Sequence, residues 1–292
     1  MKMNLRQLST VNALSDNVTA CEYQGINIIR VIHPLAEAGI SLHGGHLLWF
    51  KPQGEKDIIW LSEKAIFDQS KAVRGGIPIC WPWFGQAGTP SHGFARTSQW
   101  SLLEHRENEN GVIVSLALED NEETYAIWPH KFKNVLTFEI GQELKVSLTS
   151  TNTDNQPWSY SGALHTYFDI ANINDIDITG MGPNYLDSTQ QGKVCEGGSK
   201  LTFNNETDRV YTQPEAVITI NDKNNNREIL VTNEGHNAAV IWNPWQALSI
   251  SMGDMADNSY ETMVCVESTI HQPSVELAPG QSHTLATTIS SL

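Results

Sequence analysis

The chain has 292 residues, a formal net charge of −15 and only 18 basic residues. This acidic balance argues against a nucleic-acid or anionic-membrane partner, because either partner would require a basic face. No window approaches the roughly 18 apolar residues of a membrane span, and residues 1–12 lack the apolar core of a secretory signal. We therefore expect a cytoplasmic protein without nucleic-acid or membrane partners.

Short runs rich in β-branched residues, or alternating between apolar and polar residues, predict strands throughout the chain. In chain order they are 26–33, 42–50, 57–61, 100–107, 111–119, 136–140, 144–148, 158–170, 175–179, 216–221, 227–232, 238–242, 247–252, 263–268 and 283–289. A short helical turn is predicted over 62–70, and no longer helix or fixed-period repeat is visible. The pattern predicts an all-β protein, with one large antiparallel β-sandwich domain over residues 1–292.

One hairpin is the clearest local prediction. The strands 136–140 and 144–148 each alternate apolar with polar residues, as expected when one face of an antiparallel sheet is dry and the other is wet. Gly141 and Gln142 lie between them. A glycine at the first central position predicts a two-residue type II′ turn.

Two other features carry weaker signals. The four cysteines form no Cys-x-x-Cys pair, so reduced thiols in a cytoplasm fit better than an extracellular disulfide framework. His43 and His46 stand three residues apart in a His-Gly-Gly-His sequence. They lack the carboxylate or cysteine neighbours of a metal site, so we expect no metal there.

The segment from Arg74 to Arg96 differs from the rest of the chain. It reads RGGIPICWPWFGQAGTPSHGFAR, with five glycines, three prolines and two tryptophans between the arginines. Proline fixes φ and removes a backbone donor, while glycine permits conformations closed to other residues, so a regular helix is excluded. The aromatic and guanidinium groups predict an ordered loop beside a site for a polar ligand such as a sugar or a phosphate. We call residues 74–96 the loop wall.

Several side chains of the loop wall are candidates for ligand binding. Arg74 and Arg96 could each bind a phosphate or carboxylate, or could only tie the loop to backbone carbonyls. Two arginines around one aromatic loop favour ligand binding. His92 could bond a sugar hydroxyl or cap the loop, and both interpretations stay open. Three tryptophans in stiff aromatic segments could stack on a sugar ring: Trp81, Trp83 and Trp245. Most tryptophans, however, pack in a core.

Three residues outside the loop wall are candidates for chemistry. His165 shares one face of its strand with Ala163 and Tyr167, where a histidine is most often a satisfied core residue. Glu267 ends an apolar strand, and a buried carboxylate is costly unless it is paired or functional. A function for Glu267 therefore competes with a structural ion pair. Asp208 on its own is typical of a turn.

Taken together, five motifs resemble the hexose-6-phosphate mutarotases, also called glucose-6-phosphate 1-epimerases, of the galactose-mutarotase-like superfamily. In the family's order they are RGGIPICWPWFG at 74–85, HGFAR at 92–96, HTYF at 165–168, ETDRVY at 206–211 and CVE at 265–267. The resemblance implies a large β-sandwich that exchanges α and β anomers of a sugar phosphate without a cofactor or a metal.

The resemblance also assigns roles. It implies that His165 and Glu267 are the catalytic pair, and that Arg74, Arg96 and Asp208 bind the substrate, with an arginine on the phosphate. We expect His92 to orient a hydroxyl. The family can carry a glutamine where this chain has a serine, at position 91, so that contact is in question.

Anomer exchange requires the sugar ring to open and close. A base removes the proton of the C1 hydroxyl while an acid protonates the ring oxygen, and closure reverses these roles. We expect Glu267 as the base and His165, as imidazolium, as the acid, with pKa values near the ordinary ~4.3 and ~6.5. Two alternatives stay open: a non-catalytic sugar or sugar-phosphate binding module, and an aldose 1-epimerase of neutral sugars. We expect a monomer.

Overall fold

The computed structural model describes residues 4–292 and consists mainly of antiparallel strands. The strands are β1 Thr10–Ala13, β2 Val18–Tyr23, β3 Ile26–His33, β4 Ala36–Ser41, β5 His46–Pro52, β6 Ile79–Cys80, β7 Ser101–Asn108, β8 Gly111–Glu119, β9 Phe132–Ile140, β10 Leu144–Asn152, β11 Trp158–Leu164, β12 Tyr167–Asp169, β13 Ile176–Thr179, β14 Asn184–Asp187, β15 Lys193–Glu196, β16 Thr207–Tyr211, β17 Ile218–Asp222, β18 Arg227–Glu234, β19 Ala238–Asn243, β20 Met263–Leu277 and β21 Ser282–Ser291. The α-helices are α1 Glu122–Ile127 and α2 Trp245–Ser251, and the 3₁₀ helices are Leu5–Gln7, Ala95–Thr97, Ser188–Gln190, Lys223–Asn225 and Ser259–Thr262.

These strands form three sheets. The first has five strands in the order β1-β2-β3-β4-β5. An eight-stranded sheet, which we call the back sheet, runs β13-β17-β18-β21-β10-β9-β8-β7. The other eight-stranded sheet, which we call the site sheet, runs β15-β14-β16-β19-β20-β11-β6, with β12 paired to β20. The predicted all-β antiparallel architecture is thus confirmed. That it is one domain stays a prediction.

The main hydrophobic core contains residues of both eight-stranded sheets. Leu136 and Phe138 of the back sheet, and Ile241 and Val266 of the site sheet, are fully buried in it. Each such side chain contributes about 1.5–3 kcal/mol of burial free energy. Because successive side chains of a strand alternate between faces, the neighbours of Ile241 and Val266 point to the other face of the site sheet.

The predicted hairpin of 136–140 and 144–148 is confirmed, but its turn is not. Leu144 pairs with Ile140, which leaves three connecting residues instead of two. Gly141 does not have a positive φ angle, which the first central residue of a type II′ turn requires. The glycine instead allows the backbone of the neighbouring hairpin to come close, since a Cβ at position 141 would lie 2.6 Å from the Asn110 carbonyl oxygen.

The prediction of a strand at 247–252 is wrong, because this segment lies mostly within α2. Pro244 precedes the helix with φ of −68°, a value suited to helix initiation. The Asn243 side chain accepts a hydrogen bond from the Trp245 amide at 2.8 Å. The alternating sequence Ala-Leu-Ser-Ile-Ser-Met predicts a strand with one buried apolar face. Ile250, which would lie on that face, is instead 55% exposed.

Other predicted segments also differ from the structure. The predicted strand 42–50 begins with a turn, in which Gly44 and Gly45 have positive φ angles, and β5 starts only at His46. Residues 57–61 form isolated bridges, and 62–70 contain turns without a helix. The predicted strand 158–170 is split into β11 and β12 by two residues, the first of which is His165.

Candidate active site

One face of the site sheet carries a row of functional side chains. In the register of β16, β19, β20 and β12, Asp208 pairs with Trp242, Trp242 with Cys265, and Cys265 with Tyr167. Glu267 lies two residues beyond Cys265 on β20 and therefore on the same face. This face is opposite to the one that carries Val266 into the main core.

His165 and Glu267 are brought directly opposite each other. Leu164 pairs with Ser268 and Tyr167 with Cys265, so the two pairings enclose the His165–Glu267 position without a shift in register. The Nε2 atom of His165 lies 3.4 Å from Oε1 of Glu267, with 12% and 1% of the two side chains exposed. His165 Nδ1 and Glu267 Oε2 are buried and have no hydrogen-bond partner among residues 4–292. Two unpartnered polar atoms beside one contact leave this pair able to bind further polar groups.

The surroundings move both pKa values away from their ordinary range. Burial raises the pKa of Glu267 well above its usual value, and the nearby Asp208 raises it further, while Arg96 opposes the shift. Burial lowers the pKa of His165 well below its usual value, and His92 and the two arginines of the loop wall lower it further. The expectation of ordinary pKa values is therefore wrong. These opposite shifts favour a protonated Glu267 carboxyl group beside a neutral His165.

The loop wall closes the site from one side. Its β6 strand pairs with β11, so that Ile79 and Cys80 lie beside Leu164 and Ala163. At its far end, the guanidinium of Arg96 donates from Nη2 to the Ser91 carbonyl at 2.8 Å.

Arg74 is held at the near end of the loop wall. Its Nε donates to Asp254 Oδ2 at 3.1 Å, and its Nη1 donates to the Tyr167 hydroxyl at 3.0 Å. Arg96, by contrast, has no acidic ion-pair partner among residues 4–292. The two guanidinium groups therefore differ in how far their charge is compensated by nearby carboxylates.

His92 makes the loop-capping contact that one interpretation predicts, and its role in orienting a hydroxyl stays a prediction. Its Nδ1 accepts a hydrogen bond from the Gly85 amide at 3.3 Å, which caps the loop. Its ring lines the cavity and lies 5.9 Å from the ring of His165. Its φ of +61° is strained for a residue with a side chain, and such strain is common at functional sites. Burial, followed by the charges of Arg96 and Arg74, lowers the pKa of His92 to about 4.

All six predicted site residues line one cavity of about 760 Å³: Arg74, His92, Arg96, His165, Asp208 and Glu267. A cavity of this size is typical of small-molecule sites. Ser91 also lines it, and its hydroxyl oxygen accepts a hydrogen bond from the side-chain Nε2 of Gln86 at 3.3 Å.

The three tryptophans considered for sugar stacking are not part of this cavity. Trp81 is fully buried in the main core. The indole of Trp83 donates to the Pro90 carbonyl at 2.7 Å, and Trp245 packs on Tyr260 with ring centroids 5.3 Å apart.

Three residues that the sequence analysis did not propose complete the site: Tyr167, Trp242 and Asp254. Trp242 lines the cavity and stands edge-on to the His165 ring at 6.1 Å. Tyr167 could have been proposed, because the alternation already put it on the face of His165. The sequence carries no signal for Asp254, which lies 180 residues from the arginine that it binds.

The two histidines of the His-Gly-Gly-His sequence bond to backbone carbonyls just before the loop wall and at its start. His43 Nε2 bonds to the Lys71 carbonyl at 2.8 Å, and His46 Nε2 bonds to the Gly75 carbonyl at 2.7 Å. Complete burial lowers the pKa of His46 to about 4, so it is neutral at pH 7. Across residues 4–292, His, Cys, Asp and Glu side chains form no group of three suited to a metal ion.

Residues 27–290 match the family described as Aldose 1-epimerase. The chain belongs to the aldose 1-epimerase family. A relative from Salmonella typhimurium, provisionally named glucose-6-phosphate 1-epimerase, is 39% identical over 282 residues, which cover 94% of each chain. One from Escherichia coli with the same provisional name is 40% identical over 265 residues, covering 89% of this chain and 88% of the relative. A crystal structure from S. typhimurium, provisionally named a mutarotase, has a TM-score of 0.93 at 38% identity and covers 97% of this chain and 96% of its own.

Membership of the aldose 1-epimerase family makes the chain an isomerase and confirms the predicted mutarotase type of sandwich. The high TM-score over nearly the whole of both chains extends this likeness to both eight-stranded sheets. The α-helices of residues 4–292 are six and seven residues long, too short to cross a bilayer.

We expect Gly93→Ala to destabilise the loop wall more than Gly85→Ala does. Both glycines have positive φ, of 72° and 62°. A Cβ at position 93 would lie 2.0 Å from the Trp81 carbonyl oxygen, whereas one at position 85 would meet nothing within 4 Å. Gly85→Ala should therefore cost about 1–2 kcal/mol of unfolding free energy. Gly93→Ala should cost about 3–5 kcal/mol, measured by urea denaturation. Equal losses would show that the wall shifts freely around position 93.

Proposed function

We propose that the chain interconverts the α and β anomers of a hexose 6-phosphate, with glucose 6-phosphate as the first candidate. The observation that carries this proposal is the buried His165–Glu267 pair, 3.4 Å apart, in a cavity that Arg74 and Arg96 also line. A binding module needs the arginines but does not require a carboxyl group facing an imidazole. The provisional names of the bacterial relatives support the same substrate.

The proposed reaction uses the one proton that the pair holds. When the C1 hydroxyl donates to the unpartnered Oε2 of Glu267, it favours the carboxylate form of that group. When the ring oxygen accepts a hydrogen bond from His165, it favours the imidazolium. The proton then moves from Glu267 to His165, and the pair becomes the carboxylate base and imidazolium acid that ring opening requires.

Opening and closure then form a complete cycle. Glu267 removes the C1 hydroxyl proton, the C1–ring oxygen bond breaks, and His165 protonates the ring oxygen. The open aldehyde rotates about C1–C2. Neutral His165 next takes back the proton of the attacking hydroxyl, while Glu267 protonates the carbonyl oxygen, and the ring closes on the other face of C1. Closure leaves Glu267 as the carboxylate and His165 as the imidazolium, and the proton returns from His165 to Glu267 when the sugar leaves.

The remaining cavity residues bind and orient the sugar. Arg74 and Arg96 bind the phosphate, because guanidinium groups match the geometry of phosphate oxygens. The net charge of −15 does not prevent this, since repulsion beyond about 8 Å is screened at physiological salt. Neutral His92, with Nδ1 as an acceptor, carries its proton on Nε2 and donates it to a hydroxyl. Asp208 accepts from another hydroxyl. Fixing both ends of the sugar holds C1 between the catalytic groups.

The test is the rate of anomer exchange after fresh α-glucose 6-phosphate is dissolved, followed by ¹H NMR with and without the protein. We expect exchange far above the spontaneous rate, and a lower kcat/KM with glucose. Binding of the sugar phosphate without faster exchange would favour a non-catalytic binding module. Equal efficiency on both sugars would favour an epimerase of neutral aldoses. The monomeric state and the cytoplasmic location stay predictions.

A further inference from the structure

The His165 ring is the first of three aromatic rings that form a nearly parallel column. The rings of His165 and Tyr167 are 4.9 Å apart and inclined by 10°. The rings of Tyr167 and Trp60 are 5.8 Å apart and inclined by 19°. Trp242 stands edge-on beside the column, at 6.1 Å from His165 and 6.0 Å from Tyr167. The tyrosine is thus enclosed between two rings and beside a third.

Tyr167 also contacts the other half of the site. Its hydroxyl oxygen accepts the hydrogen bond from Arg74 Nη1 at 3.0 Å. The same guanidinium donates from Nε to Asp254. These two bonds use the N–H of Nε and one N–H of Nη1, and they leave the three other N–H groups of Arg74 for a ligand. One buried side chain therefore touches the proposed acid with its ring face and a proposed phosphate ligand with its hydroxyl.

The imidazole of His165 has few other groups to orient it. Its Nδ1 has no hydrogen-bond partner within residues 4–292, and its Nε2 faces only the Glu267 carboxyl group. Without a hydrogen bond on the second nitrogen, the plane of the ring is set by the surfaces against which it packs. The flat face of Tyr167 is one such surface, and it also stabilises a positive charge on the imidazole through its π electrons.

We infer that Tyr167 is a positioning residue of the reaction, which holds the His165 imidazole through its ring face and the Arg74 guanidinium through its hydroxyl. This inference rests on the proposed function. The ring and the hydroxyl of Tyr167 then have separate effects. The ring governs the chemical step at C1, and the hydroxyl governs retention of the substrate's phosphate.

Two substitutions separate these parts. Tyr167→Phe keeps the ring and removes the hydroxyl, so kcat with glucose 6-phosphate should stay within about twofold while KM rises about threefold or more. Tyr167→Leu also removes the ring, so kcat should fall about tenfold, as expected when a stacked, charge-stabilising ring is lost. Tyr125→Leu, on the exposed surface of α1, is the control and should change neither constant.

The readout is the division of effect between kcat and KM, with rates corrected for the folded fraction measured by circular dichroism. A purely structural role would lower the folded fraction but would not separate the two variants in this way. Equal kcat values for Tyr167→Phe and Tyr167→Leu, or an unchanged KM in Tyr167→Phe, would overturn the inference. An inactive wild-type protein would instead refute the proposed function.

A measurement on the wild-type protein covers the case in which Tyr167→Leu does not fold. A ring stacked at 4.9 Å should shift the His165 ring protons upfield in the ¹H NMR spectrum, and His165→Gln identifies the resonances. Tyr167→Phe should keep this shift. Resonances at ordinary positions would show that the rings are not stacked in solution and would overturn the inference.

Discussion

Replacing Glu267 with glutamine should lower kcat by roughly 10²–10⁴-fold, the usual contribution of one general acid–base group. Glutamine has nearly the same shape but cannot carry or release the proton that the pair shares with the sugar. KM should change little, because the arginines and the rest of the cavity are intact. Anomer exchange followed by NMR measures both constants. Glu276→Gln is the matched control, since Glu276 lies on the same strand, β20, but is exposed.

The same substitution should stabilise the fold, and the gain should depend on pH. The pKa of Glu267 is raised by burial, so the native protein keeps a proton that the unfolded chain has lost above about pH 4.5. Wild-type stability therefore falls as pH rises from about 4.5 towards the raised pKa. Glu267→Gln lacks this loss, so its advantage in unfolding free energy should be small at pH 4.5 and larger at pH 8.

Opposite effects on rate and stability would identify Glu267 as a carboxyl group retained for chemistry. Retention of full activity in Glu267→Gln would remove it from the proposed mechanism. Loss of both activity and stability would indicate instead the structural ion pair that the sequence left open, because breaking a buried pair is strongly destabilising. Urea denaturation at the two pH values separates these outcomes.

The strands were predictable where one face is buried and the other is not. In β9 and β10 the alternation is regular, and the structure confirms both strands. The helix α2 was missed because a short segment with apolar residues at every second position is read as a strand. Its true conformation depends on Pro244, which precedes the helix, and on Asn243 at the end of β19, whose side chain accepts a hydrogen bond from the Trp245 amide.

The candidate site was predictable in its residues but not in its geometry. Glu267 drew attention because a charge at the end of an apolar strand is costly, and the arginines because they frame the loop wall. The sequence cannot give the register that sets His165 opposite Glu267. For the same reason it missed the pKa shifts of the two side chains and the hydrogen bond that Arg74 donates to Asp254. Both depend on parts of the chain that are distant in sequence.

Replacing either arginine of the loop wall with methionine should reduce the selectivity for the phosphorylated sugar. Methionine keeps the apolar stem and removes the charge. A hydrogen bond to a charged group contributes about 1.5–3 kcal/mol, so kcat/KM for glucose 6-phosphate should fall roughly ten- to hundredfold. We expect the larger loss for Arg96→Met, because Arg74 shares its charge with Asp254 whereas Arg96 has no acidic partner among residues 4–292.

The ratio of kcat/KM for glucose 6-phosphate to kcat/KM for glucose isolates the phosphate contact. Taking this ratio matters most for Arg96, because its charge also lowers the pKa of Glu267 and so affects the reaction of both sugars. Arg106→Met, at a side chain that is 67% exposed and outside the cavity, is the control and should leave the ratio unchanged. An unchanged ratio in both Arg74→Met and Arg96→Met would mean that the arginines orient the sugar ring and that the phosphate is bound elsewhere.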